Sequence, residues 1–504
     1  MLKEEELYDF IRRRAGQDDP RGTRADWTPA EAAWNARYDA VADDLAALGQ
    51  EYRQLANLPA RDDGQQERLA ALEVRLDAGG EALITIVRAL EKELGAQGGA
   101  AAVAFGEQQL DWLRSQQAML ERLGHGAVLI STVVTEDRLH LILTTPDTQV
   151  ARQSPIGRAA LNRLIVDFRQ TLTDRYGDPK THLLPLAQRL HAVLVAPIAA
   201  DLAQAKAGTL MWSLDAALRY IPLAALHDGE HWLIERHPLA LYTLAARENM
   251  SQDTDTAWRV AGLGVSRAHQ GFSALDAVPA ELDGIIIRTP DDPDGVIAGE
   301  LYLDDAFDEP RLKAMIRVGY PVLHIASHFR LNPGDNSASF LLLGDGSRLT
   351  LADFEAKTAY RLDRVDQLTL SACDTAMGNP DRSASGAEVE SFGALAQKRG
   401  AKGVLATLWP VADASTGQLM QTLYRLRSAD LTLTKAEALR QAQLALMRTT
   451  AVPPQPGTRG WVDDGPAASQ PGAADPEGHN RGVTPKTYAH PYYWAPFILM
   501  GNWL

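Results

Sequence analysis

The chain has 504 residues, 45% of them hydrophobic and 23% charged, enough for roughly two to four domains and a large buried core. Its formal net charge of -15 argues against direct nucleic-acid binding, because phosphate recognition needs concentrated Lys and Arg. One cysteine cannot make an intrachain disulfide, the acidic start Met1-Leu-Lys-Glu-Glu-Glu6 does not read as a secretory signal, and no apolar run approaches the ~18 residues that span a membrane, so a cytoplasmic protein without membrane attachment is expected.

Residues 1–125 read as a helical hairpin or bundle arm. Apolar residues recur at helical spacing from Thr28 to Leu123, with breaks at Asn57-Leu-Pro-Ala60, Asp77-Ala-Gly-Gly80 and Gln97-Gly-Gly-Ala100, and residues 57–66 read as a loop. Its apolar stripes call for burial against each other or against a regulatory protein partner. From Gly126 the period changes. Ala127–Val134 and Arg138–Thr145 form an expected β-hairpin, followed by helices over 157–176 and 184–205. Short apolar strands then alternate with helices. The strands are expected at 209–214, 259–265, 321–326, 339–343, 367–372, 402–408 and 497–500, and the helices at 279–287, 310–318, 387–399, 414–427 and 435–448. This alternation predicts an α/β fold with a mostly parallel sheet sandwiched by helices, spanning 126–504, with 126–300 as a first half and 301–504 as a second. Residues 453–486, rich in Pro, Gly, Ser and charge, read as a mobile insertion.

In such a sheet reactive groups gather beyond the carboxyl ends of the strands. The run Pro321–Ser327 ends on His328, and the run Gln367–Ala372 ends on the only cysteine, Cys373. Neighbouring parallel strands lie about 4.8 Å apart, so an imidazole and a thiol leaving adjacent strands can meet and form a nucleophile–base couple. The bland alternative is a small buried thiol beside a histidine that caps a strand end. No metal site is expected, since His324 and His328 would lie about 13 Å apart along a strand. A serine hydrolase is not expected, because Gly262-Leu-Gly-Val-Ser266 is followed by Arg267-Ala268 and lacks the second glycine of a nucleophile elbow, and the segment does not read as a dinucleotide loop either.

Val322-Leu-His-Ile-Ala-Ser-His328, Leu370-Ser-Ala-Cys-Asp-Thr-Ala376, the segment from Gly386-Ala-Glu-Val389, Gly400-Ala-Lys-Gly-Val-Leu-Ala-Thr-Leu-Trp-Pro-Val411 and His490-Pro-Tyr-Tyr-Trp-Ala-Pro-Phe497 resemble the CHAT domain, a bacterial relative of caspases and separases, and Ala216–Leu226 is similar to the family's first-half segment. The resemblance implies a caspase-like fold and a cysteine endopeptidase with a dyad of His328 and Cys373. It also implies an oxyanion hole from the backbone N–H groups of Phe329 and Cys373, no cofactor, and a role in bacterial defence or cell death gated by a partner. Phe329 stands where the family usually has glycine. Candidates for the substrate pocket are Asp374, Glu388 and Asp413, acids suited to a basic side chain, and Trp409, an apolar wall. A non-catalytic interaction module with the same fold is the alternative expectation.

Overall fold

The computed structural model describes residues 48, 51, 55, 62–72, 74–75, 100–174, 178–254, 257–289, 291–292, 294–330, 337–371, 391–409, 411, 413–449 and 487–504. The expected insertion at 453–486 and most of the expected arm lie outside them. Two compact units divide the chain, Met1–Arg114 and Ser115–Leu504. In the first, the expected loop at 57–66 gives way to helix from residue 63. The helix starts there because Asp62 and Gln65 cap each other reciprocally: Gln65 N–H donates to Asp62 Oδ1 at 2.8 Å, and Asp62 N–H donates to Gln65 Oε1 at 3.1 Å.

The second unit begins within α1 (Ala100–Leu123) and then forms the hairpin β1 (Val128–Val134) and β2 (Leu139–Thr144), extended by β3 (Gln149–Ser154). Next come α2 (Arg158–Thr173), α3 (Leu184–Leu194), α4 (Ala199–Gln204), β4 (Leu210–Ser213), α5 (Leu233–Arg236), β5 (Leu239–Leu241) and β6 (Val260–Gly264). Then follow α6 (Val278–Asp283), β7 (Ile286–Ile287), β8 (Ile297–Leu303), α7 (Glu309–Val318), β9 (Val322–Ala326), β10 (Phe329–Arg330), β11 (Phe340–Leu342), β12 (Arg348–Thr350), α8 (Leu351–Ala356), β13 (Gln367–Leu370), α9 (Ser391–Lys398) and β14 (Gly403–Thr407). The chain closes with α10 (Asp413–Ala429), α11 (Lys435–Met447), α12 (Pro491–Trp494) and β15 (Phe497–Gly501). Several of these starts carry their own caps. Asp308, Thr350 and Thr434 each accept an N–H from the first turn of α7, α8 and α11.

Among the described residues twelve strands make one sheet in the order β3-β2-β1-β4-β5-β15-β14-β13-β9-β6-β8-β7. Only the β3–β2, β2–β1 and β15–β14 pairs are antiparallel, so the sheet is mostly parallel. Strands β9, β13 and β14 are buried throughout, as continuous apolar runs require. Helices cover both faces. Tyr424 of α10 reaches Thr369 of β13 on one face, whereas Val404, paired with Leu368 and so pointing the other way, lies under Gly393 of α9.

The stretch Pro179–Gln204 has the length and apolarity to cross a bilayer, which corrects the reading that nothing in the sequence approaches them. It is not one uniform helix: a π turn, α3, a 3-10 turn at Ala196–Ile198 and α4 follow one another, with Pro197 at the break. Leu183, Ala187, Leu190, Leu194, Ile198 and Leu202, three or four residues apart, all enter the core, while His182 and Arg189 stay exposed. The apolarity is a core-facing stripe.

Candidate active site

Strands β9 and β13 are parallel neighbours, paired from Gln367 with Val322 to Leu370 with Ile325, and Ser371 N–H donates to Ile325 O at 2.9 Å. Both chains therefore leave the sheet at the same edge. After β9 the backbone is fastened to the small sheet β10–β11–β12: Ser327 Oγ donates to Leu342 O at 2.6 Å, and Leu342 N–H donates to His328 O at 2.9 Å.

His328 sits at this edge, 9% exposed. Its Nε2 lies 2.9 Å from the backbone oxygen of Ser273, and its ring is tilted against Phe272 with centroids 5.0 Å apart. A carbonyl oxygen only accepts, so Nε2 carries the proton and, in the neutral ring, Nδ1 is the basic atom. The loop bearing Ser273 is itself tied down. Asp304, in the left-handed region at φ 50, accepts from Ser266 N–H at 2.7 Å, Arg267 N–H at 3.1 Å and Ser266 Oγ at 2.7 Å. Those bonds and the salt bridge from Arg267 hold the Asp304 carboxyl below its usual range despite the opposing effect of burial.

Phe329 enters β10 and is buried, with its ring 5.1 Å from that of Phe392 in α9. It is not among the described residues with positive φ, so its backbone is one that any side chain adopts without the strain glycine would relieve. Trp409, two residues beyond β14, is 2% exposed. Its Nε1 donates to Tyr492 O at 3.2 Å, and the Arg169 guanidinium lies 5.8 Å from the ring centroids of both Trp409 and Tyr220. Burial lowers the Arg169 pKa to about 10. Asp413 opens α10, six residues after the end of β14. Cys373, Asp374 and Glu388 lie outside the described residues.

His324, expected as a polar residue inside the strand, is fully buried, with Nδ1 3.0 Å from Tyr424 OH and Nε2 3.1 Å from Glu281 Oε1. Among the described residues no group of three or more His, Cys, Asp or Glu side chains is arranged to hold a metal ion. Sequence reasoning missed Glu281, Ser371 and the Ser273 carbonyl. Glu281 left a signal: it falls on the face of α6 that carries Val278 and Leu282, where an acid is out of place. A backbone carbonyl leaves none.

A family model for the CHAT domain matches residues 184–502. No curated protein matches the chain. Among solved structures the chain is similar to separase of Saccharomyces cerevisiae in two separase–securin complexes. In one, the TM-score is 0.44 at 9% identity, covering 91% of this chain and 37% of that one. In the other, the TM-score is 0.43 at 10% identity, covering 80% and 31%. It is also similar to the Arg-specific cysteine proteinase gingipain R, with a TM-score of 0.35 at 8% identity, covering 68% of this chain and 74% of that one. The chain thus spans about a third of the length of the separase chains.

Proposed function

The chain belongs to the CHAT-domain family, and from that premise we propose that it is a cysteine endopeptidase in which His328 is the base and Cys373 the nucleophile. The observation that carries this reading is the register of β9 and β13. Every paired position differs by 45 residues, from 322 and 367 to 325 and 370, and 45 is also the separation of His328 and Cys373. Both residues follow the same end of adjacent parallel strands by the same number of positions, which supports their meeting there.

In this mechanism Ser273 O holds the Nε2 proton, so Nδ1 of His328 takes the thiol proton as the sulfur attacks the peptide carbonyl carbon. The bonding pair of the carbonyl moves onto its oxygen, which faces the N–H groups of Phe329 and Cys373. Phe329 is suited to this: with Leu342 N–H bonded to His328 O, Phe329 and Leu341 form a non-hydrogen-bonded pair, and the Phe329 N–H points away from β11. The oxyanion collapses, the amine departs with the proton from His328, and water frees the acyl group by the same route. Asp374, Glu388 and Asp413 are proposed to favour a basic P1 side chain. Gating by a protein partner, a part in bacterial defence or cell death, and action in the cytoplasm complete the proposal; they rest on the family resemblance and the composition.

The test is cleavage of a peptide library by the purified protein, with its genomic neighbours added, beside Cys373→Ala and His328→Ala. Cleavage is expected to fall by about 10³-fold in either variant. Cleavage that survives both substitutions removes the dyad, and binding without any cleavage by the wild type favours the interaction module.

A further inference from the structure

Beneath the strand ends lies a run of buried polar side chains that the steps above do not use. We propose that Glu281 is a positioning residue for the dyad: from α6 its carboxylate holds Ser371, two residues before Cys373, and His324, four before His328, and so fixes how the two strand ends face each other. The inference rests on the peptidase reading and names what aligns its reactive groups.

The hydrogen bonds run in one direction. Gln367 Nε2 donates to Thr369 Oγ1 at 2.9 Å, and Thr369 Oγ1 lies 2.9 Å from Tyr424 OH. Because the Glu281 carboxylate only accepts, His324 Nε2, 3.1 Å from Oε1, carries the ring proton; in the neutral ring Nδ1 then accepts from Tyr424 OH at 3.0 Å, which leaves the Tyr424 oxygen to accept from Thr369. Ser371 Oγ donates to the same oxygen at 2.5 Å. The run therefore ends on a group that only accepts, reached from both catalytic strands. His324 and Thr369 are fully buried, Ser371 is 2% exposed and Glu281 4%. A carboxylate at that depth carries a large desolvation cost, which a leucine continuing the stripe of Val278 and Leu282 would avoid. Folding alone does not call for an acid here.

Side-chain parity ties this run to the site. Positions 324 and 326, like 369 and 371, alternate onto one face of the sheet, each step of two residues covers about 6.6 Å, and His328 and Cys373 follow two residues after Ala326 and Ser371. Glu281 thus bonds one residue of each strand: Ser371, two residues before Cys373, and His324, four before His328. Helix α6 also packs beside α10, which supplies Tyr424. Movement of either helix is transmitted to the strand ends through this acid.

Because Cys373 is the only cysteine, iodoacetamide reports on one thiol in the full-length protein. Labelling rates between about pH 5 and pH 9 are compared for wild type, His328→Ala, Ser371→Ala, Ser371→Thr and Glu281→Gln, each with a thermal melt. Ser371→Ala and Glu281→Gln are expected to label about 10-fold to 100-fold more slowly near pH 7 while still melting cooperatively, and Ser371→Thr, which keeps the hydroxyl, to regain most of the rate. If wild type and His328→Ala share the profile of an ordinary thiol, the dyad fails and takes this inference with it. If they differ but Ser371→Ala labels like wild type, the dyad stands and Glu281 loses its role. Should Glu281→Gln not fold, the Ser371 pair decides.

Discussion

Strands β1, β2 and β4 bury what a sheet interior ordinarily buries: Leu129, Ile130, Leu141, Leu143, Leu210, Met211 and Trp212 are all at most 1% exposed. Strands β9 and β13, in the same sheet, bury His324, Gln367 and Thr369 just as deeply. Apart from Thr132 and Thr144, which are hydrogen-bonded, the first region is held by non-directional burial, which tolerates repacking at modest cost. The second is held by hydrogen bonds in fixed order, where losing one partner leaves another buried and unpaired. The difference separates a region that supplies stability from one that supplies alignment, and alignment is what a two-residue catalyst needs.

The sharpest way to break this comparison is the dyad itself, where the expected ~10³-fold loss of cleavage in His328→Ala leaves the melting temperature near that of the wild type. Next in size, Leu141→Ala in the outer region is expected to cost about 2–5 kcal/mol in denaturant unfolding. Its folded form should label Cys373 at the wild-type rate; slower labelling would mean that the two regions are not separable. A smaller effect is expected for Gly264→Ala in β6. Its new Cβ would come within 2.7 Å of Leu282, Val278 and Leu303, pressing α6 away from the strands at a cost of about 1–3 kcal/mol. Slower labelling there would show that the placement of α6, and not merely its packing, matters.

The smallest effect concerns His490, which accepts the Tyr492 N–H at the start of α12 and whose pKa burial lowers from 6.5 to about 4. The folded chain then binds fewer protons than the unfolded chain between those values. Stability present above about pH 6.5 is lost as pH falls towards 4. His490→Asn keeps a capping side chain without the titration, so its melting temperature should fall less between pH 7.5 and about pH 5.8, by an amount worth about 1 kcal/mol. An unchanged pH dependence would assign the acid sensitivity to other groups.

Continuous apolar runs such as Val322–Ala326 and Gly403–Thr407 are legible in a sequence because a strand buried on both faces needs them. Strand β8 was not legible, since Ile297–Leu303 is buried only at its first residue and mixes polar with apolar positions, and β5 and β7 are too short to carry a period. The expected helix over 279–287 ends at Asp283 and turns into β7, because the next strand in space, β8, offers Ile286 and Ile287 a parallel edge. Residue order alone determined the apolar runs that became β9, β13 and β14, amphipathic helices such as α2 and α7, and the spacing between His328 and Cys373, because these depend on each residue's own shape, period and polarity. Tertiary structure decided the pairing of β9 with β13, the antiparallel return of β15, the Ser273 carbonyl behind His328 and the meeting of Glu281, His324 and Ser371. Those contacts join residues far apart in the chain, and packing chooses among the many partners that local chemistry would allow.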